Sequence, residues 1–159
     1  MILDLGGHGL DVGALLRREK RGVSARGPLV QARGTPLAEL REGDKLHIVG
    51  IAGEARLDGK TPAELVALLA ALGLPRGVRL KQVHLIADET GRGGGESYAA
   101  RLSAALIDEG FDVDEIKAPR GRVRWDEEGK VHILDGEQWV PSERGLNAYV
   151  GPRVADKHR

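Results

Sequence analysis

Two loops hold the residues of this sequence best suited to chemistry. Gly50-Ile51-Ala52-Gly53 follows the apolar run Lys45-Leu46-His47-Ile48-Val49, and Asp88-Glu89-Thr90-Gly91 follows Val83-His84-Leu85-Ile86-Ala87. In an open parallel sheet, ligands bind beyond the C-terminal ends of the strands. If the two runs are neighbouring strands, their loops face one crevice formed by Gly50, Gly53, Asp88, Glu89, Thr90 and Gly91. Asp88 and Glu89 there suit a general base or a magnesium ligand, because hard cations take carboxylate oxygen. The plainer reading is a pair of solvated or helix-capping carboxylates. The glycines over 91–95 precede a helix and could hold a phosphate through backbone N–H groups. Without the lysine-serine pair of a P-loop, a flexible loop fits them better.

Other candidates are weaker. His47 and His84 lie within the apolar runs, where a buried, hydrogen-bonded histidine is the default. His8 follows the first apolar run but has no partner at a useful spacing, and His132 and His158 do not suggest a metal site. No Ser-His-Asp or paired-histidine motif is present, and no metal is expected. The chain has no cysteine, which excludes disulfides, thiolate nucleophiles and cysteine-bound zinc. Lys117, Arg120, Arg122 and Arg124 form a basic cluster. In a strand Arg122 and Arg124 share a face. The cluster is read either as a polyanion site or as a solvated face balanced by Asp126, Glu127 and Glu128.

The elements that must position these residues are legible from local signals. Residues 2–5 read as a buried first strand, ended by Gly6-Gly7. Asp11 can cap a short helix carrying Val12, Leu15 and Leu16, with Arg17, Arg18, Lys20 and Arg21 at its C-terminal end. Residues 29–32 are expected to form a second strand and 45–49 a third. Thr61-Pro62-Ala63-Glu64 is a capping box with proline at the first helical position. Leu65, Leu68, Leu69 and Leu72 then recur at helical spacing, until Gly73 and Pro75 end the helix. A near-continuous apolar strand is expected over 80–87, as in the centre of a parallel sheet. A second long helix is expected over 97–109, lined by Tyr98, Leu102 and Leu106 and closed by Gly110. A strand follows over 111–116. Residues 122–125 and 130–134 then read as a β-hairpin. Alternating strands and helices indicate right-handed βαβ units around a mostly parallel sheet.

In order and spacing these motifs resemble the autoprocessing cysteine peptidase domains of large bacterial toxins. That family carries an apolar strand, a Gly-His-Gly turn, a helix, a second apolar strand ending in Ala-Cys, and a glycine-bearing loop into a Ser-aromatic-Ala helix. The matching segments are Val49-Gly50-Ile51-Ala52-Gly53, the run 57–65, Leu85-Ile86-Ala87-Asp88-Glu89-Thr90-Gly91, and Ser97-Tyr98-Ala99-Ala100. Residues 118–123 and the hairpin after them resemble the family's flap. The resemblance spans roughly residues 45–140 and implies a caspase-like, three-layer α/β/α sandwich with a C-terminal hairpin. It also puts the catalytic histidine at Ile51 or Ala52 and the nucleophile at Asp88. None of these can supply a thiolate or an imidazole base. The resemblance therefore implies a pseudoenzyme of clan CD type. In the family, a basic surface around the flap binds inositol hexakisphosphate, so the same ligand is implied for Lys117, Arg120, Arg122 and Arg124.

Composition bounds the rest. The 24 basic and 24 acidic side chains balance, which argues against a general nucleic-acid binder. No apolar stretch is long enough to span a bilayer, and no signal peptide is seen. The expectation is one α/β domain over 1–140 with a loosely packed polar tail over 141–159, cytoplasmic or part of a secreted bacterial effector. It has no required cofactor and acts through a protein partner. The alternatives are a carboxylate- or metal-dependent hydrolase using Asp88 and Glu89, and a polyanion-binding module.

Overall fold

A computed structural model describes residues 1–6, 10–19, 22–24, 36–143 and 147–150. The strand expected over 29–32, His8, His158 and the end of the tail lie outside those residues. Strands β1 (Ile2–Asp4), β2 (Gly22–Ser24), β3 (Lys45–Val49), β6 (Arg79–Ile86) and β7 (Asp112–Pro119) pair in parallel. Strand β11 (Asn147–Val150) joins the β7 edge antiparallel, giving the order β11-β7-β6-β3-β1-β2. The fold is thus mixed α/β around a mostly parallel sheet. Part of the expected loose tail, 147–150, is this edge strand. Its backbone N–H and C=O groups are satisfied by pairing with residues 116–119 of β7.

Among the described residues three α-helices accompany the sheet. In α1 (Gly13–Glu19) the first turn is held by Asp11, whose carboxylate accepts from Gly13 N–H at 3.0 Å. In α2 (Pro62–Ala71) the capping box is complete: Glu64 N–H donates to Thr61 Oγ1, and Thr61 N–H donates to Glu64 Oε1, each at 3.2 Å. These bonds and the nearby cations hold the exposed Glu64 carboxyl below its ordinary pKa. In α3 (Tyr98–Asp108) Ser97 caps the start by accepting from Ala100 N–H at 3.1 Å. Both long helices stop the same way. Gly73 and Gly110 take positive φ, and Leu74 and Phe111 N–H reach back five residues to Leu69 and Leu106 oxygens. This is a glycine-terminated Schellman ending.

Alternate strand residues divide between two apolar clusters. Leu3, Leu46, Ile48, Val83, Leu85 and Ile116 belong to the larger, with Leu65, Leu69, Leu102 and Leu106 of α2 and α3. Ile2, Val49 and Ile86 belong to a smaller one with Val12 and Leu15. Against the smaller cluster pack Val123, Trp125 and Val131 of a separate antiparallel sheet, β8 (Val123–Trp125), β9 (Val131–Asp135) and β10 (Gln138–Pro141). The expected hairpin is therefore two strands of a three-stranded meander. The turn expected over 50–53 continues into a small ribbon, β4 (Ala52–Gly53) with β5 (Arg56–Leu57).

Candidate functional site

Strands β3 and β6 are hydrogen-bonded neighbours, with Val49 opposite Ile86. The loops that leave them therefore open onto one crevice of about 610 Å³. One wall is the β4–β5 ribbon with Ala52, Gly53, Glu54, Ala55 and Arg56. The other is the 88–92 loop and the first turn of α3, and Arg122 closes the flap side.

Each wall has a specific tether. Tyr98 Oη donates to Lys60 O at 3.0 Å, tying α3 to the ribbon. Burial, with Glu64 nearby, pushes that phenol above its ordinary pKa. Thr90 is buried and donates to Ala87 O at 3.1 Å. Asp88 Oδ1 accepts from Val123 N–H at 2.7 Å, which fastens the end of β6 to the start of the meander. Glu89 Oε1 accepts from Arg92 at 3.0 Å. Arg56 bonds Gly59 O at 3.0 Å and Glu64 at 3.3 Å.

Of the expected crevice residues, Gly53, Asp88, Glu89 and Thr90 line the cavity, and Gly50 and Gly91 do not. Both glycines are explained by close approach. A Cβ on Gly50 would collide with the Asp58 carboxylate, and one on Gly91 with the Ala118 carbonyl of β7. Ile51, one of the two residues at the expected histidine position, is 43% exposed, and its N–H donates to Asp58 Oδ2 at 3.0 Å. Ala52, the other, lines the cavity. Among the described residues the non-glycine positive-φ positions are Ala55, Asp58 and Glu89, all in these two loops. Such strain gathers where a surrounding structure over-determines the backbone, as at ligand sites.

Sequence reasoning missed Arg56 and Arg101 as crevice residues. Arg101 sits one helical turn after Ser97, on the face that looks at the loop, so its spacing was a usable signal. Arg56 had none, because the Glu54-Ala55 turn lacks the glycine or asparagine that usually marks a ribbon.

The expected basic cluster is not one surface. Arg122 faces the crevice, Arg124 stacks on Trp139 with its guanidinium carbon 4.1 Å from the ring centroid, and Arg120 is exposed beyond the end of β7. Lys117 lines a different cavity of about 640 Å³, on the side of α1. Arg18, Lys45, Lys81 and Lys130 line it too, against Glu19, Asp44 and Glu143. At its floor lie His47 and His84, opposite each other on β3 and β6, with their Nδ1 atoms 3.1 Å apart. The partner that a buried histidine needs is, for each, the other. Burial lowers the Lys117 ammonium's pKa and pushes that of His84 well below the ordinary histidine value.

Among the described residues no three histidine, aspartate or glutamate side chains are disposed to hold a metal ion, and no helix is long and apolar enough to cross a membrane. No protein-family model and no curated protein matches the chain.

Proposed function

We propose that this chain is a catalytically inactive, cysteine-peptidase-like domain that works by binding a segment of a protein partner in the crevice between the 50–56 and 88–92 loops. The carrying observation is the pairing of β3 with β6. It puts the loops with Ile51, Ala52 and Asp88 at the ends of adjacent strands, where the resemblance would have a catalytic histidine and cysteine. Apolar clusters built from alternate strand residues support a three-layer, caspase-like arrangement, with the meander as the flap. The same resemblance makes the domain part of a bacterial effector or toxin-related protein.

Asp88 suits the inactive reading. One of its oxygens is engaged by a backbone N–H, a structural task that any acceptor of the same shape can perform. Glu89 is paired with Arg92.

The test has two parts. Incubated with itself, casein and a peptide mixture, with or without inositol hexakisphosphate, the protein should release no fragment detectable by mass spectrometry. Peptides selected for binding should lose affinity for Arg101→Glu/Arg122→Glu. Saturable proteolysis that vanishes in Asp88→Ala would overturn the reading, and so would selected peptides indifferent to the crevice substitutions.

One observation favours a second reading, polyanion binding: five lysine and arginine side chains against three carboxylates around the Lys117 cavity. Calorimetric binding of inositol hexakisphosphate, weakened by Lys117→Glu and unaffected by Arg124→Glu, would support it.

A further inference from the structure

A central strand pair in a parallel sheet is normally apolar on both faces. Here two histidines stand side by side in that position, and a third group fixes their protonation. His47 Nε2 lies 3.4 Å from Glu19 Oε1, on the last residue of α1. The carboxylate beside Nε2 favours the tautomer with the hydrogen there, which leaves Nδ1 as a lone pair. His84 Nδ1 must then be the donor in the 3.1 Å bond. The neutral pair is satisfied in one tautomeric arrangement, and it links α1 to the middle of the sheet.

Adding a proton changes this. One proton leaves the hydrogen bond intact, because either ring can then donate to the other. It buries a cation, however, and the charges around it are mostly of the same sign. Arg18 and Glu19 come from α1, the Met1 amine from β1, Asp44 and Lys45 from β3 and its approach, and Lys81 from β6. Lys117 and Glu115 come from β7, Lys130 from the meander, and Glu143 from beyond it. Glu19 is the one carboxylate in contact with the pair among the described residues. A second proton would set N–H against N–H.

The cheapest way to solvate that charge is to lift α1. That helix has seven residues, too few to be stable alone. Beneath it lies the smaller apolar cluster, with Val12 and Leu15, and the larger core on the other side need not move. We infer that the His47–His84 pair is a proton-sensitive catch that holds α1 on the sheet and releases it on acidification. Burial lowers the His47 pKa from 6.5 to about 4, opposed by the Glu19 carboxylate and aided by the Met1 amine, Lys45 and Lys117. The released state thus binds more protons than the closed one between those values, and opening grows as pH falls through that window.

Trp125 reports on the event, since its indole N–H donates to Asp11 O, in the cap of α1, at 2.9 Å. Amide and indole hydrogen exchange would be followed by NMR on the unmodified protein and on His47→Gln/His84→Gln. From pH 6.5 toward 4, protection factors of residues 14–19 and of the Trp125 indole should fall in the unmodified protein by about tenfold to a hundredfold per pH unit, the slope of one or two linked protons. Amides of β6 and β7 should keep theirs, and in the double variant residues 14–19 should not show the fall. Equal loss in both proteins, or no loss in the first, overturns the inference. If the double variant does not fold, the ring nitrogens of the unmodified protein decide. Protonation of residues 47 and 84 together with the release of α1 supports the catch, and titration near 6.5 with α1 unchanged refutes it.

Discussion

Asp88 shows how a carboxylate just past the end of a central strand can serve as a structural acceptor. Its bond to Val123 N–H closes the gap between the sheet and the meander, and the contact needs an acceptor oxygen rather than a charge. Asp88→Asn should therefore leave stability nearly unchanged in urea denaturation. Asp88→Ala should cost about 1 kcal/mol, the ordinary worth of one such bond. If Asn is as damaging as Ala, the charge matters and the structural account fails. Gly91 supplies a second residue-scale expectation. The Ala118 carbonyl leaves no room for a Cβ, so Gly91→Ala should destabilise by roughly 1–3 kcal/mol, the usual range for overpacking. Its cost should exceed that of Gly53→Ala, where nothing lies near the added carbon.

Among the elements, α2 owes its position to a cap and a leucine stripe acting together. Thr61 and Glu64 satisfy two N–H groups that helix geometry leaves open. Thr61→Ala should cost about 1 kcal/mol, and Thr61→Ser much less, because serine keeps the acceptor. A loss below about 0.3 kcal/mol in thermal or urea unfolding would mean that packing of Leu65 and Leu69 alone holds the helix. The ribbon β4–β5 is the opposite case. Two residues per strand and an exposed turn give it few buried contacts, and Leu57 is its anchor in the large cluster.

On the scale of the molecule, the two apolar clusters are unequal, and stability should follow them. Native-state hydrogen exchange should be slowest in β3, β6 and β7, whose residues share the large cluster with α2 and α3. It should be faster in α1 and fastest in β4–β5. Uniform protection across all of these would contradict the division. Leu85→Ala, at the centre of the large cluster, should cost 2–5 kcal/mol and lower the whole unfolding transition. Leu15→Ala should act mainly on α1.

Much was legible in the chain because it depends on neighbours in sequence. Helix caps join residues two or three apart, so Asp11 and Thr61 could be read directly, while Ser97, read as the first helical residue, is the cap. The two central strands and their C-terminal loops followed from apolar runs and glycines. The absence of a thiol needed no structure at all. Tertiary structure alone decided which residues stand opposite one another. His47 meets His84 across 37 positions, and Asp88 meets Val123 across 35. Lys117, Arg122 and Arg124 were neighbours in sequence and went to three different surroundings. The chain turns at Pro119 from the main sheet into a separate one, and a strand's side-chain alternation does not carry through such a turn. Local pattern follows from backbone geometry shared by every helix and strand. Register and partnership depend on how the apolar faces pack.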